Sequence, residues 1–157
     1  TLDPEMFSTV ASLNVPYILM HIQGTPATMQ MNPQYEDVAL EVMEFLKDRA
    51  VELEKAGLKK VILDPGFGFG KTLEHNLELL RNLARFNSAG VAVLAGISRK
   101  GMLGRISGRE VNERVFASVA AAVIAADKGA QILRVHDVAA TRDALAVWQA
   151  VKSDRQP

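Results

Sequence analysis

The sequence predicts a parallel α/β fold, and three observations carry that prediction. Four short apolar runs, PYILM (16–20), VILD (61–64), VAVLAGI (91–97) and QILRV (131–135), alternate with segments of helical periodicity. The runs start roughly 30–45 residues apart, the span of a βα unit. Each run then hands the chain to polar residues: His21 and Gln23, then Asp64, then Ser98, Arg99 and Lys100, then Arg134 and His136. Active sites in such folds lie at the carboxyl ends of the strands, so four of these ends on one rim predict a functional mouth.

The elements follow in order. Asp3 as N-cap and Pro4 at the first helical position predict an opening helix, with Met6, Phe7, Val10, Ala11 and Leu13 at helical spacing. PYILM reads as a buried strand. The polar loop HIQGTPATMQMNPQY leads into a helix over about 35–56, with Val38, Val42, Phe45, Leu46, Ala50 and Leu53 on one face and Gly57 as its stop. VILD is the second strand, and a helix over about 72–86 follows the glycine loop. VAVLAGI suits a strand buried on both faces. After SRKGMLGRISGR come a helix over about 111–128 ended by Gly129, the strand QILRV, and a last helix over about 138–152. The chain opens without methionine on a helix-start signal, which predicts a beginning in mid-fold.

The chain has 157 residues, 48% hydrophobic and 23% charged, enough for one domain with a core. Eighteen basic and eighteen acidic residues cancel, so no global field draws it to nucleic acid or an anionic membrane. The absence of cysteine excludes disulfides, thiolate metal sites and a cysteine nucleophile. With nothing resembling a signal peptide or a membrane span, a cytoplasmic enzyme or binding protein is expected.

DPGFGFGKT (64–72) looks at first like a nucleotide-phosphate loop. Gly70, Lys71 and Thr72 fit G-x-x-x-x-G-K-[ST], but Pro65 stands where the first glycine belongs, with φ fixed and no N–H for a phosphate. Attention therefore moves to Asp64. The following proline holds it extended, and its carboxylate suits two N–H donors of a flat heterocycle; a loop or helix cap is the bland alternative. Of Phe67 and Phe69, one is expected to pack inward and the other to wall a ring. Lys100, just past the third strand, suits a ring carbonyl or an anion, against the alternative of a solvated lysine. Arg134 and His136, two apart, suit a diphosphate or a planar ring, against the alternative of Arg134 paired structurally with Asp137 or another acid. His75 reads as helix surface, and the three histidines have no metal-ligand spacing.

Taken together and in order, LMHIQGTPATMQ, ILDPGFGFGKTLEHN, GISRKGMLG and ILRVHDV resemble the dihydropteroate synthase family. That resemblance implies a (β/α)8 barrel that joins p-aminobenzoate to a dihydropterin methyl diphosphate, releasing diphosphate with magnesium. By motif position, Asp64 would hold the pterin amino and ring N–H groups, and Lys100 its carbonyl and ring nitrogen. Phe69 and the backbone at Gly68 would line the p-aminobenzoate pocket, Ser98 would meet its carboxylate, and Gly96 would permit close packing at the pocket floor. Arg134 would stack on the pterin and, with His136, hold the departing diphosphate; Met20 would lie beneath the ring. Lys100, Arg134 and His136 are the catalytic candidates.

The resemblance covers the C-terminal half of such a barrel, about four βα units over residues 1–157. The first strands, with a metal-binding asparagine, a mobile loop and further pterin-binding Asp and Asn residues, are expected in an N-terminal segment outside this chain. Magnesium would be bound through the diphosphate and a ligand there, with no metal ligand in this chain. Open sheet edges, an exposed inner face, a homodimer, sulfonamide-type inhibitors as ligands and no turnover by the isolated chain are expected. The rivals are a flavodoxin-like binding module, a pterin-binding methyltransferase-like barrel and a non-catalytic half-barrel.

Overall fold

The computed structural model describes residues 3–153; residues 1, 2 and 154–157 of the expected unit lie outside the described residues. Its elements are α1 (Met6–Leu13), β1 (Tyr17–Met20), α2 (Val38–Lys55), β2 (Val61–Asp64), α3 (Leu73–Arg81), β3 (Ala92–Ala95), α4 (Gly101–Ser107), α5 (Val115–Asp127), β4 (Ile132–Leu133) and α6 (Val138–Lys152). Short 3-10 helices cover Leu83–Ala89 and Val111–Glu113.

All three strand pairings are parallel and the order is β1-β2-β3-β4. Each crossover therefore steps to the adjacent strand in the same direction, and right-handed connections put every helix on one face. An open doubly wound sheet would reverse its strand order and carry helices on both faces. The order seen here is that of consecutive units in a (β/α)8 barrel wall.

Side-chain alternation gives the two faces different characters. Leu19, Val61, Leu63, Val93 and Ala95 point to the helices and share a core with Val42, Leu46 and Leu53 of α2, Leu79 of α3, and Leu83 and Phe86 of the 3-10 turn. The opposite face carries Ile18, Met20, Ile62, Asp64, Leu94, Ile132 and Arg134. On that face Ile18 is 44% exposed, whereas Leu94 and Asp64 are buried at 3% and 1%. β1 and β4 are the sheet edges, as expected for part of a closed wall.

Several boundaries differ from the sequence reading for local reasons. α1 begins at Met6, since Asp3 Oδ1 accepts from Glu5 N at 2.9 Å and holds a turn ahead of the helix. α2 begins at Val38 because Asp37 Oδ1 caps Ala39 N and Leu40 N at 3.0 and 2.9 Å. The helix expected over 72–86 stops being α-helical at Asn82, whose Nδ2 donates to Glu78 O at 3.0 Å. Within SRKGMLGRISGR a full helix, α4, forms and ends at Gly108, φ 69°. The helix over 111–128 starts as a 3-10 turn and becomes α-helical at Val115. β4 keeps only two ladder residues, so Arg134 and His136 stand just past its end instead of on the strand.

Asp37→Ala should cost about 1 kcal/mol, the usual loss of an N-cap. Urea unfolding of the full-length protein that carries this segment measures it. A midpoint unchanged from wild type would mean that the cap bonds contribute nothing.

Candidate active site at the strand ends

The mouth is built around Asp64, which ends β2 with its side chain on the face away from the helices and is only 1% exposed. Oδ1 accepts from Gly66 N at 2.9 Å, and Oδ2 faces Arg134 Nη2 at 3.4 Å. Burial pushes its pKa up; the Gly66 N–H and the charges of Arg134, Lys100 and Lys71 oppose that and favour the carboxylate. Three cations thus act on one buried acid.

The glycine loop supplies the wall. Phe67 is buried at 1% exposure, whereas Phe69 is half-buried and carries Lys100 Nζ 4.0 Å from its ring centroid. That division between the two aromatics is the expected one. Gly68 N donates to Asn76 Oδ1 at 2.7 Å and Gly68 O accepts from Gln30 Nε2 at 2.7 Å, which fixes the loop backbone. A Cβ on Gly68 would press within 3.2 Å of the Lys100 side chain, so glycine leaves room for the lysine. Burial pulls the Lys100 pKa down, Asp64 raises it and Arg134 lowers it further.

Lys100 sits at the N-cap position of α4, held there by the turn before it. Arg99 adopts φ 57°; its N–H donates to Ser118 Oγ at 2.9 Å and its carbonyl accepts from Arg114 Nη1 at 3.1 Å. Its guanidinium grips Asp137 with bonds of 3.1 and 2.7 Å. Asp137 is therefore the partner of Arg99, and the acid opposite Arg134 is Asp64. Arg134 keeps 55% of its side chain exposed. A Cβ on Gly96 would lie 2.8 Å from Arg134 Nη2, so glycine there makes room for the guanidinium.

Ser98 is buried, and its Oγ accepts from His136 N at 3.2 Å and bonds His136 Nδ1 at 3.0 Å. It orients the imidazole from below. Met20 pairs across the ladder with Asp64, and its Cγ lies 3.5 Å from where a Gly66 Cβ would stand. A cavity of about 170 Å³ borders the mouth, lined by Gln30, Gly68, Asn76, Lys100, Met102 and Arg105. A larger groove of about 520 Å³ includes Val61 and Val91, at the starts of the strands, away from these groups.

Sequence reasoning passed over Asn76, placed His21 on the rim without a role, and weighed Lys71 only as a phosphate-loop lysine. Lys71 is buried and bonded to His21 Nδ1, Gly66 O and Phe69 O. Its inward position agrees with the failed phosphate-loop match, because it offers nothing to an external anion. His75, read as helix surface, is half-buried: it shares a capping box with Thr72 and packs its ring 5.0 Å from Tyr35.

A family model described as pterin binding enzyme matches residues 1–136. The chain is 51% identical over 150 residues to dihydropteroate synthase of Haemophilus influenzae, covering 94% of this chain and 54% of that protein. Dihydropteroate synthase of Xanthomonas albilineans, solved with 4-aminobenzoic acid, matches with TM-score 0.90 and 48% identity, covering 98% of this chain and 55% of that one. The Yersinia pestis enzyme, solved as a sulfonamide drug complex, matches with TM-score 0.93 and 41% identity over 96% of this chain and 55% of its own. The chain spans about half the length of the curated relatives it matches. With four consecutive βα units of a (β/α)8 barrel and the charged rim at their carboxyl ends, the chain belongs to the pterin-binding enzyme family.

Proposed function

We propose that this chain forms the C-terminal half of a dihydropteroate synthase barrel, which condenses p-aminobenzoate with 6-hydroxymethyl-7,8-dihydropterin diphosphate to give 7,8-dihydropteroate and diphosphate. One observation carries the reading: the buried Asp64 carboxylate faces Arg134 at 3.4 Å and feels the charges of Lys100 and Lys71, with Lys100 held over the half-buried Phe69 ring. A carboxylate so placed accepts the paired N–H donors of a pterin edge, and Lys100 donates to the adjoining carbonyl and ring nitrogen. Phe69 and the backbone at Gly68 wall the arylamine, while Met20 and Gly96 shape the floor. The methyltransferase-like rival shares the carboxylate but has no need of Arg134 and His136 at a leaving diphosphate.

The bond that breaks joins the pterin methylene to the diphosphate oxygen, and its electron pair leaves with the diphosphate. The methylene cation is stabilised by the electron-rich pterin, the arylamine nitrogen attacks it, and the amine then loses a proton. Catalysis here consists of alignment and neutralisation of the leaving group. Arg134 and His136, held by Asp64 and Ser98, are the cationic and donor groups that this chain offers the diphosphate. Magnesium would be held by the diphosphate and by residues outside this segment; among the described residues no group of three or more His, Cys, Asp or Glu side chains could hold a metal ion.

A homodimer belongs to this reading, and exposed Phe116 on α5 with Val147 and Val151 on α6 leaves apolar surface on that helix pair. Binding of sulfonamide-type inhibitors in the arylamine pocket and a cytoplasmic setting belong to it as well. No helix among the described residues is long and apolar enough to cross a membrane.

The test is diphosphate release by the full-length protein, which should require both pterin diphosphate and p-aminobenzoate; release without the arylamine, or none, rejects the reading. His136→Ala should lower turnover on the order of tenfold, about 1.4 kcal/mol, and leave pterin diphosphate affinity nearly unchanged, since the contact gains value as charge collects on the leaving group. Steady-state rates beside calorimetric titration separate the two, and a loss confined to affinity would remove His136 from the leaving-group role.

A further inference from the structure

We propose that Lys71 is a positioning residue of the pterin site, its buried ammonium clasping from below the 64–70 loop that carries Asp64 and Phe69. The proposal rests on the pterin reading given above. Lys71 is 3% exposed, and its Nζ donates to Gly66 O and Phe69 O, each at 3.1 Å, and to His21 Nδ1 at 2.9 Å. An ammonium has three donors and no acceptor, so these bonds use it completely and require His21 to accept at Nδ1. His21 meets that requirement: burial, then the Lys71 charge, lower its pKa to about 3, so the ring is neutral, and with Nδ1 accepting from the ammonium its proton belongs on Nε2.

The two carbonyls bracket the working part of the loop. Gly66 is the residue whose N–H donates to Asp64 Oδ1, and Phe69 is the ring beneath Lys100. One side chain thus sets the backbone under the carboxylate and the aromatic wall together. The groups facing Lys71 are His21 from the end of β1, Tyr35 with its ring centroid 5.9 Å away, Asp64 from β2 and Lys100 from beyond β3. Burial lowers its pKa to about 7, Asp64 raises it and Lys100 lowers it. The coupling is mutual, since the Lys71 charge is among those that favour ionised Asp64. A buried ammonium is expensive unless paired, which the three acceptors and the nearby carboxylate account for.

The experiment uses the full-length protein that carries this segment, with Lys71→Met and Lys71→Gln, and titrates pterin diphosphate by calorimetry across pH. Removing the positive charge makes the Asp64 proton harder to lose. The acidic limb of binding should therefore move to higher pH, and affinity on the acid side of neutrality, where Lys71 is charged in the wild type, should fall severalfold. A side chain that only filled space would change stability and leave the acidic limb in place, and that result overturns the proposal. Wild-type protein that binds pterin diphosphate beside folded variants of unchanged profile rejects Lys71 alone; wild-type protein that does not bind it rejects the functional reading and this one with it. Should neither variant fold, NMR titration of labelled lysine decides. One lysine should titrate near 7 in the wild type and lower in Asp64→Asn, where the carboxylate that raises it is gone, and an unchanged midpoint overturns the proposal.

Discussion

Asp64→Asn in the full-length protein should weaken pterin diphosphate binding by on the order of 2–4 kcal/mol, the range for setting a polar group against a charged partner. The amide keeps one acceptor, which the Gly66 N–H already uses through Oδ1 at 2.9 Å. Its other arm becomes an NH2 group where Oδ2 now meets Arg134 Nη2 at 3.4 Å, so a donor faces a donor. The pterin edge brings two more donors to the same place. The cationic groups Arg134, Lys100 and Lys71 also lose the charge they share. Binding of p-aminobenzoate, measured with the pterin site saturated, should change far less, because Phe69 and Gly68 line that pocket. Calorimetric titration of both ligands checks this. No loss for pterin diphosphate, or a loss equal to that in His136→Ala, would mean that the pterin edge and the diphosphate end are assigned to the wrong strands.

The rim of the site was legible because it is written in local sequence. Asp64, Lys100, Arg134 and His136 each stand at or just past the carboxyl end of an apolar run, and parallel topology brings the ends of such runs together. Phe67 and Phe69 part company because the loop around them turns at Gly66 and Gly68, both at positive φ, which leaves Phe67 buried and Phe69 half-buried. What stayed hidden depends on pairings between distant elements. Ser98 binds His136 and Arg99 binds Asp137, both across 38 residues, and Lys71 meets His21 across 50. No periodicity announces such partners. Lys71 was read through a motif that does not apply, and its inward turn is set by Gly66, Gly68 and Gly70, all at positive φ. β4 shrinks to two residues although QILRV has strand composition, because outside Ile132–Leu133 only Gln131 N to Val93 O and Arg134 N to Ala95 O continue the bonding to β3.

Gly66→Ala should be the most damaging small substitution in the mouth, costing on the order of 3–5 kcal/mol of stability, in the upper tail of single-residue effects. Two causes add. The residue has φ +72°, where a Cβ meets the carbonyl side of its own backbone at a cost of roughly 1–2 kcal/mol. The added Cβ would also lie far inside van der Waals contact with His21 O and 3.0 Å from His21 C. That carbonyl cannot step aside cheaply, since His21 N donates to Asp64 O at 3.1 Å in continuation of the β1–β2 ladder, and the His21 ring is tied to Lys71. The loop must move instead, which breaks the Gly66 N–H bond to Asp64 Oδ1 and the Lys71 bond to Gly66 O. Gly57→Ala is the matched control: its φ is +98°, and nothing lies within 4 Å of the added methyl. It should carry the backbone strain alone, roughly 1–2 kcal/mol, with pterin diphosphate affinity intact. Denaturant unfolding of both variants in the full-length protein, with calorimetry of the folded fraction, separates strain from collision. Equal losses in the two would place the whole cost of Gly66→Ala in its backbone conformation and leave the His21 carbonyl without a part in shaping the pterin corner.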